Sequence, residues 1–365
     1  MLVDGVHYDY FGGTGYLGLQ GNADVIEAMC RAAKTFGVHT ATSRSRYASQ
    51  PVLNVERLAA EFFGTESAFY FASGYAGNAL LLRALKPSVD AIFVDAQSHY
   101  SVTEAARSSG LPVHEFATRD AEDLVRQLRA HLGRRDRPLV MTDGVFASFG
   151  QIAPIDQYEA VLQGIHGAAI LVDDAHGFGT IGHDGRGTID YHGLWSRCNQ
   201  TAQAVDDVRL YAVGTTSKAL GGFGGILPAS AELREAAITA SHYFDGASAP
   251  PAPAAAAAAR ALQLIIAQPA MRESLRRNIA NVRDGLRELG VANDDFPTPI
   301  VGFTRGDAAT MRRLHERLAD EGILVPYAEQ YSGVGPEGAM RLAVFATHTN
   351  EVIERLLATM RKVLE

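Results

Sequence analysis

The sequence predicts an α/β protein with a mostly parallel sheet, followed by a smaller α+β region. Two patterns lead there. Short apolar runs alternate with amphipathic stretches through the middle of the chain, as expected of strands joined by crossover helices. From about residue 252 a long helical stretch gives way to shorter strands with helices beside them. The expected organisation is an N-terminal arm and helix over 1–42, a large domain over 43–270 and a small C-terminal domain over 271–365.

In chain order, "GGTGYLGLQ" reads as an arm and "ADVIEAMCRAAKTF" as a helix. Strands are expected at "SAFYFAS" (67–73), "AIFVD" (91–95), "PVHEFA" (112–117), "PLVMTDG" (138–144), "AAILVDD" (168–174) and "RLYAVGT" (209–215). "YAGNALLLRAL" and "AEDLVRQLRAHL" supply helices between them. Further on, "TPIVGFT", "GILVPYA" and "MRLAVFA" read as strands, and "DAATMRRLHERLADEG" and "NEVIERLLATMRKVLE" as helices.

Composition bounds the function. With 365 residues, 47% of them hydrophobic and 20% charged, the chain is an ordinary globular protein with a substantial core. A net charge of -8 argues against nucleic acid or an anionic membrane as the main partner. Cys30 and Cys198 lie far apart and fit free thiols in a reducing compartment. The start, "MLVDGVHYDYFGG", lacks a basic and then apolar leader, so a cytoplasmic location is expected. The most apolar run, "APPAPAAAAAARALQLIIA", is interrupted by prolines and Arg260 and reads as a buried helix.

Two glycine patterns invite a nucleotide reading. "GGTGYLG" has the right glycine spacing but no preceding strand and no later acidic residue. "GTTSKAL" puts Ser217 before Lys218 and Ala219 after it, which a phosphate-binding P-loop does not. Other residues fall just past strands. "ILVDDAHGFG" carries Asp173 and His176, "YFASGYAGN" turns at Ser73–Gly74 into a helix whose N–H groups suit a phosphate, and "VDAQSHYS" places His99 after Asp95. Asp173, Asp174, His176 and His183 match no common metal-ligand spacing, so no metal is expected. Ligands of open α/β sheets bind at the carboxyl ends of the strands, where these residues cluster. A lysine, a carboxylate, two histidines and a phosphate cradle fit pyridoxal 5'-phosphate (PLP), which needs an amine, a partner for its ring nitrogen and anion donors. The glycines after Lys218 are then expected to admit a bulky cofactor.

With these residues in view, the chain resembles the α-oxoamine synthases of the aspartate-aminotransferase-like PLP fold (fold type I). "YLGL" at Tyr16, "SGYAGN", "TDGVFASFGQIAP", "VDDAHGFGTIG", "GTTSKALGGFGG" and "HTNEVIERL" follow the family's order and spacing over almost the whole chain. The resemblance implies a mostly parallel seven-stranded sheet in a large domain, a smaller α+β C-terminal domain, and a homodimer with shared active sites. It implies that Lys218 holds PLP covalently, Asp173 pairs with the ring nitrogen and His176 with the phenolic oxygen. His99 and Ala175 would cover the two ring faces. Gly74, Tyr75, Thr215 and Ser217 would hold the phosphate, and Asp143 stands where the family usually has Glu. Arg341 falls on the segment that binds the substrate carboxylate. The implied reaction condenses an amino acid with an acyl-CoA, usually with decarboxylation; an aminotransferase or other Cα-reacting PLP enzyme is the alternative.

The substrate side departs from the family pattern. Thr14 replaces an asparagine and Ala147 a serine, "GASAPP" stands for "STSLPP", and Ala343 takes the place of a second arginine. The family's "GSRxxxG" survives loosely in "TSRSRYASQ", which makes Arg44 or Arg46 the next candidate for the carboxylate. Cofactor residues intact beside altered substrate residues imply a substrate pair outside the standard ones. Because Lys218, Asp173 and His176 are all present, the sequence favours an enzyme over a non-catalytic partner subunit.

Overall fold

The computed structural model describes residues 1–200, 207–291 and 294–364. It contains two compact units, each discontinuous in sequence. One comprises Leu19–Val145 and Ala153–Gln268, the other Met1–Gly18, Phe146–Ile152 and Pro269–Glu365.

The larger unit is built on seven strands: β1 (Ser67–Phe71), β2 (Ala91–Asp95), β3 (Val113–Phe116), β4 (Pro138–Asp143), β5 (Ala169–Asp173), β6 (Arg209–Thr215) and β7 (Gly225–Ala229). Their order is β1-β7-β6-β5-β4-β2-β3. β7 runs antiparallel to both neighbours, and the pairs from β6 to β3 are parallel. β1 to β6 fall on the apolar runs named above. β7 does not announce itself, because "GILPA" carries Pro228, which cannot donate to a ladder. It pairs with β1 from Gly225 to Ala229 but with β6 only through Gly225 and Ile226. Where the β6 ladder stops, the buried Asn199 amide bridges the gap. Its Nδ2 donates to Ala212 O (2.8 Å) and Pro228 O (2.5 Å), and its Oδ1 accepts from Ala212 N (2.9 Å).

In several of the flanking helices a side chain satisfies the first N–H groups. Asn22 does so for Ala23–Phe36, Asp120 for Ala121–His131 and Ser230 for Ala231–Thr239. The apolar faces of Gly77–Leu85, Tyr100–Ser108 and Ala231–Thr239 join the strands in a core that includes Phe69, Leu81, Ile92, Val102, Leu139, Leu171 and Leu233. Each fully buried side chain of this kind stabilises by about 1.5–3 kcal/mol relative to exposure. An ion pair lies inside: Arg44 meets Glu56 at 2.5 Å with side chains 5% and 10% exposed.

The smaller unit holds a three-stranded antiparallel sheet in the order Ile300–Phe303, Ala339–Ala343, Tyr327–Ala328. Helices Ala270–Glu288, Ala308–Asp320 and Asn350–Leu364 belong to it. "GILVPYA" resolves into two short strands with Pro326 between them, and the first, Ile323–Leu324, pairs with Asp9–Tyr10 of the arm. Asn278 Nδ2 ties the long helix down by donating to Phe345 O (2.9 Å) and His348 O (2.8 Å). Among the described residues no single helix is long and apolar enough to cross a membrane.

Candidate active site

The parallel register brings strand ends, and the side chains they carry, to one edge of the larger unit's sheet. Asp143 closes β4 opposite Asp173, which closes β5. Asp173 is buried and accepts three hydrogen bonds: Asn78 Nδ2 (2.6 Å) and Ser101 Oγ (3.2 Å) on Oδ2, and Ala175 N (3.1 Å) on Oδ1. Asn78 reaches it because Gly77 lets the helix Gly77–Leu85 close on the sheet. A Cβ at Gly77 would lie 2.8 Å from Val213 Cγ2 and 3.3 Å from Phe71 Cζ.

Asp143 does different work. Both its oxygens accept His99 N (3.1 Å each), and its own N donates to Ser98 Oγ (3.1 Å), which anchors the loop after β2. Burial, reinforced by the charge of Asp173, pushes the Asp143 carboxyl well above the usual range. His99 caps the helix Tyr100–Ser108, its Nδ1 accepting from Ser101 N (3.2 Å) with Ser101 Oγ at 2.8 Å. Burial favours the neutral form of His99 by lowering its pKa, with Lys218 adding to it against the opposing charge of Asp173.

The paired aspartates of "VDDAHG" are sorted by their surroundings. Asp174 is fully enclosed and accepts Thr188 N (2.5 Å) and Thr188 Oγ1 (2.8 Å). A Cβ at Gly177 or Gly187 would fall 1.9 or 2.1 Å from its oxygens. Burial raises its carboxyl to about 7, against the pull of the Thr188 donors. Asp174 therefore pins the turn that presents His176, whose Nε2 lies 3.0 Å from Lys218 Nζ. Among the described residues no group of three or more metal-ligating side chains forms.

The Lys218 loop is closed on itself. Gly224 O accepts Thr215 Oγ1 (2.7 Å), Thr216 N (2.8 Å) and Thr216 Oγ1 (3.1 Å). Ser217 N donates to Thr215 Oγ1 (3.0 Å), and Gly224 N to Ser217 Oγ (2.9 Å). The glycines that follow Lys218 serve the chain rather than the space expected for a cofactor. Gly224 has φ +119° and a Cβ there would sit 2.6 Å from Phe71 O. At Gly221 and Gly222 a Cβ would meet Leu19 (2.3 Å) and Ala258 (2.5 Å).

Of the residues expected at the phosphate, the structure brings Gly74 against Thr215, with Ser217 N on Thr215 Oγ1. Gly74 abuts Thr215, since a Cβ on Gly74 would lie 2.7 Å from Thr215 Cβ and 2.8 Å from its Oγ1. Tyr75 follows Gly74, exposed, its ring edge-on to His99 at 5.9 Å and its hydroxyl on Glu104. Backbone close enough to exclude a side chain, a tethered carboxylate and an amine beside an imidazole are a donor set that fits PLP.

The two substrate-side residues lie in the smaller unit. Arg341 donates from Nε to Ala147 O (2.5 Å), from Nη1 to Gly13 O (3.1 Å) and from Nη2 to Tyr16 OH (3.2 Å), and Thr14 beside Gly13 is half-buried. Arg44, the next candidate for the carboxylate, is a core residue instead. It donates to Tyr70 O (2.7 Å), pairs with Glu56 and stacks on Phe69 and Phe244 at 5.4 and 5.5 Å. Asn78 and Ser101 escape the sequence reading as functional residues. Asn78 lies inside the quoted "SGYAGN", but its bond to Asp173 spans 95 residues and that of Ser101 spans 72.

The model of aminotransferase class I and II matches residues 12–360. The 8-amino-7-oxononanoate synthase of Thioalkalivibrio sulfidiphilus is 34% identical, covering 98% of this chain and 89% of its own length. That of Nitrosococcus oceani is 33% identical over 100% of this chain and 93% of its own. Among solved structures, the serine palmitoyltransferase of Sphingomonas wittichii superposes with a TM-score of 0.89 at 27% identity, covering 99% of this chain and 88% of that one. A variant serine palmitoyltransferase from S. paucimobilis with bound PLP–myriocin aldimine gives 0.89 at 26% identity, again over 99% and 88%.

Proposed function

Since the chain belongs to the aminotransferase class I and II family, we propose that it is a PLP-dependent acyltransferase of the α-oxoamine synthase type. It would join an amino acid to an acyl thioester, acyl-CoA in our reading, with loss of CO₂. The observation that carries the proposal is the meeting, at one sheet edge, of the Lys218 amine beside His176 and the triply bonded Asp173 carboxylate. Bound PLP supplies an electron sink that stabilises negative charge at the substrate Cα.

The residues divide the remaining work. Lys218 would hold the cofactor and, once released from it, carry a proton to or from Cα. Asp173 would hold the ring nitrogen's proton and His176 the phenolic oxygen. Neutral His99 and Ala175 would cover the ring faces, and Gly74, Tyr75, Thr215 and Ser217 would hold the phosphate. Asp143 would act by fixing the His99 backbone. Arg341 and Thr14 would serve the substrate. A homodimer with shared sites and a cytoplasmic location complete the reading.

The test loads purified protein with PLP and supplies amino acids singly and with acyl-CoA. Free thiol and CO₂ released only when both are present is the expected result. A 2-oxo acid formed from the amino acid with no thioester present would mark an aminotransferase and overturn the assignment.

A further inference from the structure

We infer that Asn78 is a positioning residue that, with Ser101, fixes how Asp173 presents its carboxylate to the ring nitrogen of PLP. The inference rests on the reading that Asp173 meets that nitrogen. Asn78 is fully buried, at 0% exposure, and its amide is oriented by chemistry. Nδ2 faces two acceptors, Asp173 Oδ2 at 2.6 Å and Ser101 Oγ at 3.2 Å. Turning the amide over would press Oδ1 against a carboxylate oxygen. In the orientation that remains, Asn78 Oδ1 is buried with no hydrogen-bond partner.

That orphaned oxygen is informative. Leaving a buried acceptor unpaired costs stability, so an asparagine chosen only to fill this place is disfavoured against an apolar side chain of similar size. The benefit lies in its NH₂ group. One hydrogen holds Asp173, and the other holds Ser101, whose hydroxyl lies between Asp173 Oδ2 (3.2 Å) and His99 Nδ1 (2.8 Å). One amide thus orders the Asp173 carboxylate both directly and through Ser101. With Ala175 N on Oδ1, both carboxylate oxygens are fixed and rotation about the Asp173 side chain is blocked.

The experiment measures binding. Dissociation constants are determined for PLP and for its carba-analogue, in which C–H replaces the ring nitrogen, on wild type, Asn78→Ala and Ser101→Ala. Melting of each unloaded protein is recorded in parallel. Loss of a hydrogen bond to a charged group weakens PLP binding about tenfold to a hundredfold in Asn78→Ala. Ser101→Ala is expected to lose less. The analogue, with no nitrogen for Asp173 to meet, should bind all three proteins within about twofold, as expected when the affected group has no partner in the ligand. Equal weakening for PLP and analogue, or PLP affinity unchanged in the variant, overturns this inference alone. A wild type that binds no PLP overturns the functional reading with it. If Asn78→Ala does not fold, Ser101→Ala decides by the same comparison.

Discussion

Arg44→Met tests whether the arginine next in line for the substrate carboxylate belongs to the fold or to the site. Its guanidinium is buried against Glu56 at 2.5 Å, donates to Tyr70 O at 2.7 Å and lies over two phenyl rings. Removing one partner of a buried ion pair costs about 3–5 kcal/mol, mostly because the other charge is stranded. Glu56 is not wholly stranded here, since Tyr70 N at 2.9 Å and Arg234 Nη2 at 3.3 Å remain on it. The loss therefore falls at the lower end, about 3 kcal/mol. At about 2–4 °C per kcal/mol for domains of this size, melting drops by about 6–12 °C. Urea and thermal unfolding measure it, and Arg44→Met with Glu56→Leu should recover part, because then no carboxylate is left buried without its main partner, Arg234 losing only its 3.3 Å contact. Amino-acid affinity of the folded variant should be unchanged. Undiminished stability together with a tenfold or greater loss of amino-acid affinity would show that Arg44 serves the substrate and that the reasoning is wrong.

Two more expectations follow from the same contacts. Arg341→Ala should raise the KM for the amino acid by about tenfold to a hundredfold, as expected for a lost charged contact, while leaving PLP affinity intact; an unchanged KM removes Arg341 from the substrate's side. Asp174→Asn addresses pH. The Asp174 carboxyl is raised from 3.8 to about 7, so between these values the folded protein holds a proton that the unfolded chain has released. Stability should then fall as pH rises through that window, by up to about 1.4 kcal/mol per pH unit, and level off above it. Unfolding free energies from pH 4 to 8 should show that slope in wild type and lose it in Asp174→Asn; an identical slope in both contradicts the assignment.

Much was legible in the chain because its signals are local. A short apolar run rich in β-branched and aromatic residues such as "AIFVD" favours a strand, and the amphipathic pattern of "ADVIEAMCRAAKTF" favours a helix. Lys218, Asp173, His176 and His99 stand out because each follows a strand, and parallel strands deliver their ends to one edge. Ordered motifs then carried family, fold and cofactor over the whole length.

Tertiary structure decided what depends on contacts between distant segments. β7 is set by its pairing with β1 and by the Asn199 amide on Pro228 O, contacts that no period in "GILPA" foretells. Asp173 and Asp174, adjacent and identical in type, part company because one meets Asn78 and Ser101 and the other is enclosed by Thr188 and two glycines. Arg44 became a core residue because Glu56 and Tyr70 surround it. Residue type and spacing set what a side chain is able to do, and burial and hydrogen-bond partners, supplied by chain many residues away, select which of those things it does.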